Sequence, residues 1–292
     1  MPTPDFSSLL PTLTRIAESL ERLAPPPTNP SILTDPSVDA FLWQEALGTL
    51  CPIPHMRAQP LALLRGIENQ KERVMANTRY FARGLDANNV MLWGARGMGK
   101  SSLVKASIAA VNAELRADSK APLALIEIPR HELRSLPKLL ALLRQSSRRF
   151  ILFCDDLSFE EQDADYKSLK SVLDGGIAGR PDNVIIYATS NRRHLMPRRM
   201  IDNETGDAIN PSEAIEEKVS LSDRFGLWIG LYGASQNDYL AIIDAYAKER
   251  ALPIDKKDLH RRALQWAMTR GSRSGRVAIQ FITALSAELS SL

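Results

Sequence analysis

The sequence predicts an α/β fold: a parallel sheet with helices on both faces, preceded by a helical extension and followed by an all-helical domain. Three observations predict it. From Asn89 onward, short apolar runs alternate with longer helical stretches, the pattern of parallel strands joined by crossover helices. A glycine-rich turn, GARGMGKS over residues 94–101, separates the first of those strands from its helix. From about Ser235 the strand pattern stops and three helical stretches follow.

Composition narrows the alternatives. A chain of 292 residues allows one large domain or two modest ones. With 44% hydrophobic and 24% charged residues it is an ordinary globular sequence rather than a disordered one. A formal net charge of +3 gives no general electrostatic footprint for nucleic acid or an anionic membrane, which leaves only a local patch open. Cys51 and Cys154 make no disulfide framework, and the four scattered histidines have no zinc-ligand spacing. No apolar run approaches the roughly 18 residues of a membrane span, and MPTPDFSSLL carries neither a basic leader nor a long apolar stretch. The expectation is a cytoplasmic protein with no membrane partner.

The elements follow in order. Residues 1–24 form an amphipathic helix with Leu13, Ile16, Leu20 and Leu23 on one face, either folded back on the body or serving as a docking arm. Residues 25–36 are a linker in which Pro25, Pro26, Pro27, Pro30 and Pro36 prevent regular structure. Residues 37–64 read as a helical extension of short pieces interrupted at CPIPHM. The α/β core is expected over 65–234. It opens with a long helix in LLRGIENQKERVMANTRYFARGL. Strands VMLWG, LALIEI, FILFCDD and NVIIYATSN then alternate with helices in GKSSLVKASIAAVNAELRA and over roughly 131–147 and 164–174. A helical lid over 235–292 begins with Ser235 and Asp238 at capping-box spacing.

The chemistry concentrates at the strand ends. GARGMGKS fits G-x-x-x-x-G-K-[ST] with a strand before it and a helix after it, the context that the phosphate-binding loop requires. Its glycines let backbone N–H groups wrap an anion, and the helix points its positive end at the same place. The expected nucleotide contacts are Gly94, Ala95, Arg96, Gly97, Met98, Gly99, Lys100, Ser101 and Ser102. Lys100 reaches the β- and γ-phosphates, and Ser101 gives an oxygen to magnesium. FILFCDD delivers Asp155 and Asp156 at the C-terminal end of a buried strand, where open α/β sheets bind ligands. Asp155 suits a magnesium carboxylate and Asp156 the residue that orients attacking water. The last predicted strand ends in Thr189, Ser190 and Asn191. If it lies between the other two, Asn191 sits beside the γ-phosphate; otherwise it is a turn or capping residue.

Taken together, GARGMGKS, FILFCDD, YATSN, LSDRFG and SGRVAIQF resemble an AAA+ ATPase over approximately residues 60–292, and several stretches are most similar to an uncharacterised bacterial AAA+ family. The resemblance implies ATP and Mg2+ as cofactors and a homo-oligomer, a ring or open arc, formed on ATP binding. It implies a catalytic role for Asp156 and a sensor role for Asn191, and places LLRGIENQK near the adenine. It implies that Arg224 is an arginine finger acting on a neighbouring subunit, and that Arg276 couples the lid to its own nucleotide. A guanidinium suits either task because it stabilises the equatorial oxygens of a phosphoryl group in transfer. Surface ion pairing is the alternative for both, and Arg273 competes with Arg276. Where the superfamily commonly has Glu, this sequence has the shorter Asp156, so slow basal hydrolysis is expected; Glu160 or Glu161 are alternative carboxylates.

The substrate is less legible. EIPRHELRSLPKLL has no aromatic residue and no glycine where protein-threading relatives carry an aromatic loop, which argues against threading. NRRHLMPRR, with Arg192, Arg193, Arg198 and Arg199, is either a phosphate-contacting loop or an interface loop countered by the acids from Asp202 to Glu217. The loop itself has no aromatic interleaving for base stacking. Three readings stand: an ATPase that remodels a protein or protein–nucleic-acid partner, a nucleotide-switched module resembling a helicase loader, and a small-molecule kinase. The lid and its arginine argue against the third. No N-K-x-D tetrapeptide is present to read guanine.

Overall fold

A computed structural model describes residues 10–23, 33–158, 164–175, 179–193 and 224–291. Seven strands form one sheet: β1 (Ala40–Gln44), β2 (Thr49–Pro52), β3 (Val90–Gly94), β4 (Ala124–Glu127), β5 (Phe150–Cys154), β6 (Val184–Ser190) and β7 (Leu227–Leu231). Their spatial order is β2-β1-β4-β5-β6-β3-β7, with only the β1–β2 pair antiparallel. The helices are α1 (Leu10–Leu23), α2 (Glu68–Ala82), α3 (Lys100–Ala117), α4 (Leu136–Leu143), α5 (Ala164–Leu173), α6 (Gln236–Glu249), α7 (Lys256–Arg270) and α8 (Gly275–Ser290).

Burial on both faces explains why β5 reads as an unbroken apolar run. Phe150, Leu152 and Cys154 point into one core with Leu136, Leu139 and Leu143 of α4 and Leu169 of α5. Ile151 and Phe153 point into the other, with Val74 and Phe81 of α2 and Leu103, Val104 and Ile108 of α3. A third core joins α6, α7 and α8 through Tyr239, Ile243, Ala263, Phe281 and Ile282. Local caps mark these helices. Ser235 and Asp238 close a reciprocal capping box, Asp255 caps α7, and Gly271 ends it in the left-handed conformation.

The expectation of helical pieces over 37–64 is wrong. AFLWQ and TLCP form a β-hairpin that adds two strands to the sheet, so the sheet begins at Ala40, ahead of the expected boundary at 65. The aromatic side chains decide it: Phe41 and Trp43 alternate onto one face and are fully buried. Trp43 Nε1 donates to Ser135 Oγ at 2.7 Å, and Gly48, with φ +61°, closes the turn. Within this span only Leu61–Leu63 is helical, as a single 3-10 turn. The stretch expected as a helix over 131–147 is a 3-10 turn, Arg130–Ser135, followed by the shorter α4. β7 is a strand that was not anticipated.

Leu13 and Ile16 of α1 are exposed; the side chains of Leu20 and Leu23 lie outside the described residues. Among the described residues, no helix is long and apolar enough to cross a membrane.

Candidate functional site

The C-terminal ends of β3, β5 and β6 meet at one edge, with β6 between the other two, the placement on which the expectation for Asn191 depended. The loop from β3 to α3 needs its glycines. Gly94 has φ +136°, and a Cβ there would collide with the Leu231 carbonyl oxygen of the paired strand. Gly97 and Gly99 also take positive φ, at +77° and +89°.

Lys100 opens α3 and turns back into this loop. Its Nζ donates to the carbonyl oxygens of Gly94 and Ala95 at 2.8 and 2.9 Å and to Asn191 Oδ1 at 2.9 Å. Burial lowers its pKa, and the neighbouring Asp156 and Asp155 carboxylates oppose that shift. Asn191 in turn donates through Nδ2 to Asp156. Asp156 holds φ +52°, a left-handed conformation that Asp tolerates better than most residues. Thr189 secures this corner, accepting from the Asp156 backbone N–H at 2.9 Å and donating its hydroxyl to Asp155. Ser101 Oγ donates to the same Asp155 Oδ1 at 2.6 Å.

These groups line a cleft of about 630 Å³. Arg96 to Ser102, Asp155, Asp156, Thr189 and Asn191 form its polar floor, while Gly94 and Ala95 reach it through the carbonyls that Lys100 holds. Leu63, Leu64 and Ile67 form an apolar wall from the core side, and Ile242, Tyr246 and Ile279 face them from the helical domain. A polar end and an apolar end in one cleft suit a ligand with an anionic tail and a flat hydrophobic body.

The two competing lid arginines are separated by geometry. Arg276 lines the cleft, and its backbone N–H donates to the Gly97 carbonyl at 3.2 Å, fastening α8 to the loop. Arg273 lines an adjoining groove instead. Arg224 lies outside the cleft and pairs with Asp174 at the end of α5. Glu160, Glu161, Arg198, Arg199 and the acids from Asp202 to Glu217 lie outside the described residues. Sequence reasoning missed Ile242 and Tyr246, whose only signal is helical spacing, and gave no role to Thr189.

Among the described residues, no group of three or more His, Cys, Asp or Glu is placed to hold a metal ion. A metal here would take one hydroxyl and one carboxylate from the protein, Ser101 and Asp155, and the rest from substrate and water. Hard oxygen donors in that number fit Mg2+, which keeps several waters and binds with substrate phosphates.

No curated protein matches the sequence. Among solved structures, the Thermotoga maritima RuvB Holliday junction branch migration motor is 16% identical, with 78% of this chain and 72% of that one covered at a TM-score of 0.45. C. elegans PCH-2 is 18% identical, with 78% and 71% covered at 0.48. The Aeropyrum pernix ORC1 protein in complex with DNA is 14% identical, with 77% and 65% covered at 0.44. The family described as "Protein of unknown function (DUF815)" matches residues 36–289, from just before the hairpin to the last helix, and the chain belongs to that family.

Proposed function

We propose that the chain binds ATP with Mg2+ in this cleft and hydrolyses it to ADP and phosphate within an oligomer, to remodel a protein or protein–nucleic-acid partner. One observation carries the reading: Lys100 is a buried cation held by two loop carbonyls and Asn191, partners that the oxygens of a triphosphate replace. The apolar wall between Leu64 and Tyr246 is suited to the adenine, and Arg276, which lines the same cleft from the helical domain, is suited to the phosphates.

Each residue then has a task. Lys100 leaves the Gly94 and Ala95 carbonyls for the β- and γ-phosphates, and the loop N–H groups wrap the remaining oxygens. Ser101 and Asp155 hold Mg2+, which when bound neutralises charge on the phosphate oxygens. Asp156, released from Asn191, accepts a hydrogen bond from the water whose oxygen attacks the γ-phosphorus as the bond to the β-phosphate oxygen breaks. Asn191 then orients that water or the γ-phosphate. Arg224, exchanging Asp174 for a neighbouring copy's γ-phosphate, completes the site in trans. The short, left-handed Asp156 favours slow turnover outside an assembly, and so gives weight to a second reading, a nucleotide-switched module resembling a helicase loader.

The test is ADP and phosphate release by purified protein with no phosphoryl acceptor. Equal amounts of both are expected, and Asp156→Asn should lower turnover by about 10²- to 10⁴-fold, the usual contribution of a positioned base, while ATP still binds. Dependence on an added acceptor would make the protein a kinase. In mixed assemblies, Arg224→Ala and Lys100→Ala subunits should restore one another's turnover; no restoration would sink the assignment of Arg224.

A further inference from the structure

Beside the cleft, at the ends of β3 and β7, lies a cluster that the nucleotide does not use. Register places Trp93 opposite Gly230, with Trp228 and Tyr232 diagonal to it on the same face. The Trp93 and Tyr232 rings meet edge to face at 5.5 Å, and the Trp93 and Trp228 rings lie 6.0 Å apart. Gly230 makes this possible, because a Cβ there would come within 2.7 Å of Trp93 Cζ2. Over the two tryptophans lies the Arg193 guanidinium, 5.3 and 5.6 Å from their ring centres. The aromatic partners that NRRHLMPRR lacks in sequence therefore reach it through the sheet.

The cluster is cationic, with half-buried tryptophans and an exposed rim. Tyr232 is 69% exposed, and Arg192 and Arg193 are also exposed. Beyond Tyr232, the chain enters the adjoining groove of about 480 Å³, where Gly233 and Ala234 face Arg96 and Arg273. Among the described residues, no carboxylate pairs with Arg96, Arg192, Arg193 or Arg273. Guanidiniums with no carboxylate partner among the described residues, beside a ring presented to solvent, have the chemistry that receives single-stranded nucleic acid, with phosphates on the arginines and a base against the aromatic face. A protein surface that used the same arginines would have to bring carboxylates in place of phosphates, and the test below distinguishes it.

We infer that this surface, Trp93, Arg192, Arg193, Tyr232, Arg96 and Arg273, binds single-stranded nucleic acid. It is also wired to the cleft. Arg192 and Arg193 directly follow Asn191, which holds Lys100 and Asp156, and Arg96 lines both the cleft and the groove. Filling the cleft moves Asn191 off Lys100 and shifts the arginines after it. That coupling rests on the cleft being an ATP site; the binding surface itself does not.

The experiment is fluorescence anisotropy of labelled 30-mers of oligodeoxythymidine and oligouridine with the full chain, over a salt series, with and without ATP. Binding of at least one strand is expected, and with four phosphates neutralised its affinity falls with salt at a log–log slope of about −3. Arg192→Ala with Arg193→Ala should weaken it at least about tenfold and shallow the slope by roughly 1.4. Tyr232→Ala, at an exposed position, should weaken binding about tenfold, the fold-change equivalent of one stacked base, and leave the slope unchanged. Preference between the two strands tells DNA from RNA. No binding to either strand at low salt by protein that still binds ATP would overturn the inference and spare the cleft. Unchanged binding by the variants overturns it too, as does their loss of self-association in place of oligonucleotide affinity, which would make the surface an interface between copies. Strand binding that persists while ATP fails to bind would instead sink the nucleotide reading alone.

Discussion

The two ends of the same sheet handle polar groups in opposite ways. At the N-terminal ends of the strands, side chains serve the backbone. Asn112 donates to the Leu123 carbonyl and accepts from its N–H, at 2.9 and 2.8 Å. Asn183 donates to the carbonyls of Leu143, Ser146 and Arg148, and the buried Arg148 donates to those of Pro122, Leu123 and Asp35. At the C-terminal ends, side chains hold one another: Lys100 to Asn191 to Asp156, and Ser101 to Asp155 to Thr189. The first arrangement satisfies groups that would otherwise be orphaned, so it is permanent. The second is a set of partners open to exchange, beside a cleft and on a backbone with φ +52° at Asp156. The proposed function sits where the bonds are replaceable.

Breaking the closed end should show the largest effect on stability. Arg148→Met leaves the buried Pro122 carbonyl and the part-buried Asp35 carbonyl without the Arg148 donor, takes one of two donors from the Leu123 carbonyl, and leaves Asp39 to Arg116. It should cost about 2–4 kcal/mol in denaturant unfolding. Asn112→Ala, which orphans the Leu123 N–H and leaves its carbonyl to Arg148, should cost about 1–3 kcal/mol in the same assay. Neither should change nucleotide affinity in the protein that remains folded. At the open end, Lys100→Ala should cost the ligand-free protein less than about 1 kcal/mol, because burial already disfavours the ammonium and water in the cleft can reach the vacated carbonyls. A loss as large as that at Arg148 would erase the contrast.

A pH dependence probes the closed end at alkaline pH. Burial pushes the Cys154 thiol up from 9.0 to about 12 and the Tyr187 hydroxyl from 10.0 to about 12. Folding therefore favours the protonated forms. The stability they contribute is full below about pH 9, falls as the unfolded chain ionises, and is gone once pH passes about 12. Thermal melts should drop across that window, and at pH 8 a thiol reagent should modify the half-buried Cys51 well before Cys154. Equal rates at both cysteines in folded protein would contradict the closed packing around β5.

Much of this was legible in the sequence, for definite reasons. β5 and β6 are buried on both faces and so are continuous apolar runs, and the glycines between β3 and α3 announce a loop that only they can form. The hairpin was not legible, because CPIPHM looks like a break between helical pieces while Phe41 and Trp43 reveal their strand only through what they bury against. β7 was hidden by its glycines. Gly226 fits under the Asn88 side chain and Gly230 under the Trp93 ring, so both are there for tertiary reasons and dilute the strand signal. Of the two lid arginines, spacing could not say which lines the cleft; Arg276 does, with its backbone N–H bonded to Gly97, and Arg273 lines the adjoining groove. The pairing of Arg224 with Asp174, 50 residues apart, and the meeting of Arg193 with Trp93 are long-range contacts with no local trace.

Titration calorimetry of ATP into the full chain with Mg2+, for the wild type and Lys100→Ala, tests the assignment of the cleft most directly. The wild type should bind one ATP per chain, and the variant should lose on the order of 10³-fold in affinity, since two or more charge-assisted bonds to phosphate disappear. Equal affinity in the two proteins, or no heat of binding in the wild type, would contradict it.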